Sequence, residues 1–369
     1  MGRAFVVTCG GTGGHIYPGI AVAQRLKELM PDCRILFVGG AGNMEMDLVA
    51  REGFEIVPIE ARSFHRSLAP KDCAHNFAAV FVNAASVAKS KKILRDFGAD
   101  AAIGTGGYVC YPVLRAAAKL GIPSILHESN AVPGLTTRLL ERSCDTILIN
   151  FEDCRKYYKP GTRLAVVGMP VRKGFSPEKR RAGGSPPRLV SLWGSLGASR
   201  MNELTCELIA RNEREGAFTH IHAAGGGEEG VAAMKKKLAS LGVTELRYTD
   251  LRPYIYDMPE VMAGADLVMC RSGASTLGEL TAMGTPALLV PSVNVTHNHQ
   301  ESNARVLESA GAAILMLERD CTGDALFEKI ASVICDGEAL SEMSENMLSL
   351  NKSDPAGLIA AEALRLIGD

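Results

Sequence analysis

Tryptophan occurs once in 369 residues, and aromatic residues together make up only 5%, too few to build stacking platforms for single-stranded nucleic acid. Neither sign of charge dominates: 40 Lys and Arg face 41 Asp and Glu, a net charge of -1. Nothing global draws the chain toward nucleic acid, no nucleic-acid partner is expected, and any basic patch must be local. No uninterrupted apolar run approaches the ~18 residues that span a bilayer. The residues ahead of the first glycine cluster are too few for the apolar core of a signal peptide. Ten cysteines are scattered with no Cys-x-x-Cys pair and no histidine spaced to complete a zinc knuckle. They read as buried thiols in a reducing compartment, and no metal site is expected. The composition thus predicts a cytoplasmic protein, one still able to touch a membrane peripherally.

Glycine is what the chain has in excess, 38 residues or about 10% against a usual ~7%. The length predicts two domains at roughly 150 residues each. Short apolar runs alternate with amphipathic segments through both halves. The first half holds Ala4 to Thr8, Ile35 to Val38, Glu55 to Ile59, Ala101 to Ile103, Ser124 to Leu126 and Thr146 to Ile149. The second holds Leu189 to Leu192, Thr219 to Ala223, Leu246 to Tyr248, Leu267 to Met269 and Ala287 to Val290. This alternation predicts parallel strands with crossover helices, an α/β chain with two doubly wound sheets. Pro18, Pro112 and Pro133 suit first-turn positions of three helices. The Gly- and Pro-rich stretch Val167 to Pro187 reads as the link. A last helix, Pro355 to Ile367 behind the N-cap candidate Asp354, is expected to cross back to the first domain. The expected domains are 1–166 with 352–369, and 167–351.

The glycines cluster where strands end. Ala4 to Thr8 runs into Cys9-Gly10-Gly11-Thr12-Gly13-Gly14-His15 and then a helix; Gly-Thr-Gly-Gly returns at Gly104 to Gly107, before Tyr108. A third turn, Gly194-Ser195-Leu196-Gly197-Ala198, follows Leu189 to Leu192. Glycine lets backbone approach a ligand, and N–H groups at a helix start favour phosphates. The first turn has neither dinucleotide nor Walker spacing. Ligands of open α/β sheets bind beyond the carboxyl ends of the strands, so the three turns are expected to converge on an interdomain crevice, with Thr12, Gly13, Gly14 and Tyr108 among the binding residues. His15, at the mouth of the first turn, is a candidate proton acceptor, the plainer alternative being a helix-start side chain that caps backbone. In His127-Glu128-Ser129-Asn130, Glu128 is readable as a working carboxylate or as a loop anchor. Within Cys270 to Glu279, Thr276-x-x-Glu279 fits a capping box that needs no ligand. His297-Asn298-His299-Gln300 forms a polar cluster at a helix start, while His220 and His222 read as a strand pair rather than metal ligands.

Together these strings closely resemble the MurG family of lipid I N-acetylglucosaminyltransferases over nearly the whole chain. The carriers are GGTGGHIYPGIAVA (10–23), GTGGYVCYP (104–112), LGIPSILHESNAVPGLTTRLL (120–140), VGMPVR (167–172), GSLGA (194–198), CRSGASTLGEL (270–280) and NHQESNA (298–304). The resemblance implies the GT-B architecture, two Rossmann-like domains with a cleft between them. It also implies inverting, metal-independent transfer from UDP-N-acetylglucosamine to the muramyl 4-hydroxyl of lipid I, without a cofactor; the chain indeed has no Asp-x-Asp, a usual metal-diphosphate anchor. By the same resemblance Arg172, Ser195, the backbone at Ile255, and Ala274, Ser275, Thr276 and Glu279 hold the nucleotide, Glu279 at the ribose. Asn130 and Gln300 contact the sugar, where unpaired hydrogen bonds discriminate against epimers. His15 is the first choice of base for the acceptor hydroxyl and Glu128 the second. The chain departs from the family pattern at Ser129, commonly Gln, at Leu196, often Gln beside the phosphates, and at Asn298, often Asp.

A polyprenyl-linked acceptor further implies docking on the cytoplasmic leaflet of the plasma membrane. The candidate surface is Phe77, Val80, Phe81 and Val82, bordered by Lys71, Lys89, Lys91, Lys92 and Arg95, an apolar stripe with a basic rim. Its alternative is an ordinary core-facing helix with a charged end. Rival readings of the whole chain are a UDP-sugar-dependent diacylglycerol glycosyltransferase and a non-catalytic nucleotide-sugar-binding scaffold. Retention of His15, Glu128, Asn130, Glu279 and Gln300 speaks against the scaffold.

Overall fold

The computed structural model describes residues 2–63, 69–194, 197–295 and 298–368. The chain divides into two compact units, Met1–Lys173 with Lys352–Asp369, and Gly174–Asn351. The first unit extends past residue 166 because Val167 still donates its N–H to Ile149 O, and Gly168 O receives a hydrogen bond from His127.

The first unit carries strands β1 (Ala4–Thr8), β2 (Arg34–Gly40), β3 (Glu55–Ile59), β4 (Ala101–Gly104), β5 (Ser124–Glu128), β6 (Thr146–Ile149) and β7 (Leu164–Val166). They pair in parallel in the order β3-β2-β1-β4-β5-β6-β7. Helices cover both faces, which is why β1 reads AFVVT, buried at every residue rather than alternating. Phe5, Val7 and Ile103 pack beneath the helix Gly13–Leu29, while Val6, Ala102 and Leu126 pack beneath the helix Cys110–Leu120. The strand order reverses between β1 and β4, and at this switch point a doubly wound sheet opens a ligand crevice at its carboxyl edge.

The last helix, Pro355–Leu366, belongs to this unit. Asp354 caps it by accepting from Gly357 N–H at 2.8 Å and pairs with Arg25 at 3.0 Å. Ile359, Ala360 and Ala363 join the core around Phe5 and Leu26.

The second unit repeats the plan with β8 (Arg188–Leu192), β9 (Thr219–Ala223), β10 (Thr249–Arg252), β11 (Leu267–Cys270), β12 (Ala287–Leu289) and β13 (Ala313–Leu315). Again all pairings are parallel, in the order β10-β9-β8-β11-β12-β13, with the switch between β8 and β11. Both units are therefore Rossmann-like, as the alternating pattern predicts.

Several local expectations are corrected. The strand expected at Leu246 to Tyr248 lies at Thr249–Arg252 instead: Leu251 packs on the core while Asp250 and Arg252 pair with each other at 2.7 Å. Pro18 is not in a first turn, because the glycine turn itself begins the helix at Gly13 and leaves the proline inside it. The capping box at Thr276 does not exist either. That helix starts at Ala274 behind Gly273, which puts Thr276 inside its first turn.

Candidate active site

Two glycine turns interlock at the switch point of the first sheet. A Cβ on Gly107 would lie 2.1 Å from Gly10 O, and one on Gly106 would lie 2.3 Å from Nδ1 of His15. Both glycines have positive φ, 115° at Gly106 and 89° at Gly107, so side chains are excluded there by space and by backbone alike. Thr105 donates its hydroxyl to His15 O at 2.7 Å, and Thr105 N–H reaches Thr8 O at 3.0 Å. His15 thus sits in the opening turn of its helix, its imidazole seated on Gly106. That helix has no acidic residue in its first turn, so its N–H groups keep their preference for anions. Thr12 makes no side-chain cap; its carbonyl accepts from His15 N–H and Ile16 N–H. Tyr108 lies beside Gly11, its hydroxyl accepting from Asn43 Nδ2 at 2.8 Å.

Glu45 holds these turns in place and carried no signal in the sequence. It is fully buried and accepts from Gly40 N–H at 2.9 Å, Gly11 N–H at 3.3 Å and Asn43 Nδ2 at 3.2 Å. Nothing in the spacing around Met44-Glu45-Met46 distinguishes it from a solvated helix-start carboxylate.

Glu128, at the end of β5, is buried with both oxygens engaged. Oε1 accepts from the N–H and the side-chain amide of Asn130, at 3.0 and 3.1 Å; Oε2 accepts from Gly134 N–H at 2.9 Å and Thr137 Oγ1 at 2.6 Å. Four donors on one carboxylate describe the anchor of the 129–134 loop rather than a base turned to a substrate. Asn130 is thereby oriented. Arg172, expected in the second domain, lies in the first unit with its guanidinium 4.9 Å above the ring of Tyr17.

His127 is buried and donates Nε2–H to Gly168 O at 2.9 Å. Burial outweighs that bond and nearby Glu128, pushing its pKa down to about 4. As pH falls from ~6.5, the unfolded chain takes up a proton that the folded imidazole refuses, so stability must fall with it. The expected loss from this group is about 3 kcal/mol by pH 4, read as the difference in urea-unfolding free energy between wild type and His127→Asn across that range. A pH slope identical in the two proteins would contradict it.

In the second unit the turn after β8 is described at Gly194, Gly197 and Ala198. Ser195 and Leu196 lie outside the described residues, as does His297 of the later polar cluster. Gly197 packs on a further turn that follows β9, where a Cβ would lie 2.5 Å from Ala224 O. This second turn reads Gly225-Gly226-Gly227-Glu228-Glu229-Gly230, a Gly-x-Gly-x-x-Gly spacing after a strand that the sequence reading passed over. Ile255 is buried just beyond β10. Ala274, Ser275 and Thr276 form the first turn of the helix Ala274–Met283, again free of acidic residues, with Glu279 farther along it. Ser275 Oγ is buried and has no partner among the described residues. Gln300 is fixed through both its ends: its carbonyl oxygen accepts from Ser272 Oγ at 2.8 Å, and its side-chain Oε1 accepts from Ser292 N–H at 2.8 Å. Arg271, also missed, anchors the same strand end by donating to Val290 O, Pro291 O and, at 2.7 Å, to buried Glu318. His220 and His222 are the strand pair foreseen, both bonded to Ser191 Oγ. Among the described residues no group of three or more His, Cys, Asp or Glu side chains is placed to hold a metal ion.

Residues 5–149 match the glycosyltransferase family 28 N-terminal domain, and residues 189–358 the family's C-terminal domain. The chain is 40% identical over 353 residues to the UDP-N-acetylglucosamine--N-acetylmuramyl-(pentapeptide) pyrophosphoryl-undecaprenol N-acetylglucosamine transferase of Acetivibrio thermocellus, covering 94% of this chain and 93% of that one. It is 35% identical to the protein of the same name from Listeria welshimeri, covering 98% and 99%. Among solved structures, the MurG of Acinetobacter baumannii superposes with a TM-score of 0.79 at 25% identity, over 98% of this chain and 99% of that one.

Proposed function

The chain belongs to the MurG branch of glycosyltransferase family 28, and from that premise we propose how its residues carry out transfer of N-acetylglucosamine from UDP-N-acetylglucosamine to lipid I, giving lipid II. The observation that carries the reading is the seating of His15 between the two interlocked glycine turns of the first sheet. The muramyl 4-hydroxyl attacks the anomeric carbon and its proton passes to His15. The new C–O bond forms on the face opposite the breaking bond to the β-phosphate oxygen, which leaves with its electron pair as UDP, inverting the centre. Amides of Thr12, Gly13 and Gly14 at the helix start receive the acceptor's diphosphate, with Tyr108 beside them.

On the second unit, the backbone at Ile255 and the residues Ala274, Ser275 and Thr276 hold the nucleotide. The orphaned Ser275 hydroxyl and the helix-start amides meet the charge that develops on the leaving diphosphate. Glu279 accepts from the ribose hydroxyls, and Arg172 contributes to holding the nucleotide. Asn130 and Gln300 read the sugar; with Oε1 of Gln300 taken by Ser292, its NH2 group is the donor it offers. Glu128 serves as the anchor that orients Asn130. Transfer of labelled N-acetylglucosamine to a short-chain lipid I analogue tests the reading. A diacylglycerol acceptor used in its place, or UDP-sugar binding with no turnover, would favour the two rivals.

The helix Pro70–Phe97 supplies the membrane contact. Its inward residues Ala79, Asn83, Ser86, Val87, Ser90 and Leu94 are buried, whereas Phe77, Val80 and Phe81 are 69%, 54% and 61% exposed. The core-facing alternative fails at these three positions. The rings of Phe77 and Phe81 lie 5.0 Å apart, and Lys71, Lys89, Lys92 and Arg95 are exposed on the same helix. No helix among the described residues is long and apolar enough to cross a membrane. In this reading the enzyme works peripherally, on the cytoplasmic leaflet of the plasma membrane. Changing Lys89, Lys91 and Lys92 together to Glu is expected to weaken binding to anionic vesicles by ~100-fold, at about 1 kcal/mol per basic residue near such a surface, with UDP affinity intact. Vesicle binding equal to wild type in a sedimentation assay would remove the idea.

A further inference from the structure

The second unit buries a run of polar side chains that the reaction does not touch. Ser191 on β8 and His220 and His222 on β9 are buried in a unit whose core is largely apolar. Ser191 Oγ lies 2.7 Å from His220 Nε2 and 2.6 Å from His222 Nδ1. His222 Nε2 lies 3.3 Å from Asn202 Oδ1, and Asn202 Nδ2 donates to Ala224 O at 2.8 Å. The last contact sets the direction of all the others. A carbonyl only accepts, so Asn202 turns its NH2 to Ala224 and its Oδ1 to His222. His222 then carries its proton on Nε2, and its Nδ1 accepts the Ser191 hydroxyl. Ser191 oxygen in turn accepts from His220 Nε2–H, leaving His220 Nδ1 a buried lone pair with no partner among the described residues. Every proton in the run points toward Ala224. Burial keeps the imidazoles neutral, with His222 pushed down to about 3 and His220 also well below its ordinary value.

What the run holds is backbone with little stiffness of its own. Ala224 opens onto Gly225, Gly226 and Gly227, three successive residues at φ of 69°, 65° and 68°, where glycine is least restrained. On one side this turn packs against the turn after β8: a Cβ on Gly225 would lie 2.3 Å from Gly197 N and 2.9 Å from Gly194 O. On the other, Ala224 and Gly225 donate their N–H groups to Arg252 O and Pro253 O, the segment that leads into Ile255. The turn therefore lies between two stretches assigned to the nucleotide. A cavity of about 230 Å³ borders Asn202, Ala224 and Gly225, so packing alone does not fix the amide.

We propose that His220, Ser191, His222 and Asn202 form one positioning run that fixes the 224–227 turn, and with it Gly194 and Gly197, for the UDP-sugar. The proposal rests on the second unit being the donor-binding half. Its test compares wild type, Ser191→Ala, Asn202→Ala and Asn202→Asp, reading kcat, separate KM values for UDP-N-acetylglucosamine and a lipid I analogue, and Kd for UDP by calorimetry. Each variant should raise the donor KM and the UDP Kd by about 10-fold or more, as one buried hydrogen bond left unmade requires, with the lipid I KM unchanged. Asn202→Asp is the sharpest arm: it keeps the volume and the acceptor for His222 but has no donor for Ala224, so a merely space-filling residue would tolerate it. Unchanged donor KM and UDP Kd in the asparagine variants would overturn the proposal. Imidazole nitrogen resonances of the wild-type protein serve where a variant does not fold. Neutral, Nε2-protonated rings at both His220 and His222 are expected, and an Nδ1-protonated or charged ring at either would overturn it. A wild type that binds UDP but transfers nothing counts against the functional reading alone, and the Kd comparison still decides the positioning role.

Discussion

His15→Ala is expected to lower kcat for transfer to a lipid I analogue by a factor of ~100 or more, the usual contribution of a positioned general base, with the Kd for UDP unchanged. The separation follows from where the residue sits. His15 is in the opening turn of the helix Gly13–Leu29 in the first unit, whereas the proposed nucleotide contacts Ile255, Ala274, Ser275, Thr276 and Glu279, Arg172 apart, belong to the second. Removing the imidazole therefore leaves the amides and hydroxyls that meet the diphosphate as they are. His15→Gln keeps polarity without a comparable proton affinity and should lose nearly as much. The pH–rate profile adds a check that a purely structural role would not satisfy. Its acidic limb in kcat/KM reports the base in the free enzyme and should vanish in both variants. Full activity in His15→Ala would instead remove the histidine from the chemistry.

Gly106→Ala is expected to cost almost as much without removing any reacting group. The new Cβ would lie 2.3 Å from His15 Nδ1, 2.7 Å from its Cε1 and 2.9 Å from its Cγ. No rotation of a methyl group relieves that overlap, so the imidazole must shift by about an ångström, a displacement that costs on the order of 100-fold when a catalytic group is misplaced. The φ of 115° adds backbone strain of order 1–3 kcal/mol, so a lowered Tm should accompany the loss. Two results separate displacement of the base from general damage. UDP affinity should stay at the wild-type value, and the double variant with His15→Ala should be no slower than His15→Ala alone, because residues acting through one group do not add. Additive losses would mean that Gly106 matters for another reason.

Strands buried on both faces announce themselves as unbroken apolar runs, so AFVVT, Ser124 to Leu126 and Thr146 to Ile149 were legible and the doubly wound class followed. Of the four edge strands, β3 was legible as Glu55 to Ile59 and the other three were not. β10 reads Thr-Asp-Leu-Arg and β13 and β7 are three residues long, too polar or too short for periodicity to register. The helices Gly323–Ile334 and Gly337–Ser349 were also passed over, although Thr322 and Asp336 cap them through Ala325 N–H and Ala339 N–H. In the site, glycine strings and strand-end polar residues pointed to the turns because their chemistry is local. What sequence could not show is how the turns are braced. Glu45 reaches Gly11 across 34 positions and Ser191 reaches His222 across 31; Glu128 has two roles open to it until its four donors are seen. Bracing residues are defined by what folding brings to them, and no spacing rule records that.

The most direct test of the account is the transfer reaction itself. Wild-type protein, UDP-N-acetylglucosamine labelled in the sugar, and a short-chain lipid I analogue are incubated with EDTA present, and the disaccharide product is resolved. The account predicts labelled β-linked disaccharide on the lipid and release of UDP in equal amount. UDP-sugar binding with no labelled lipid product, or label passed only to a diacylglycerol acceptor supplied beside it, would contradict it.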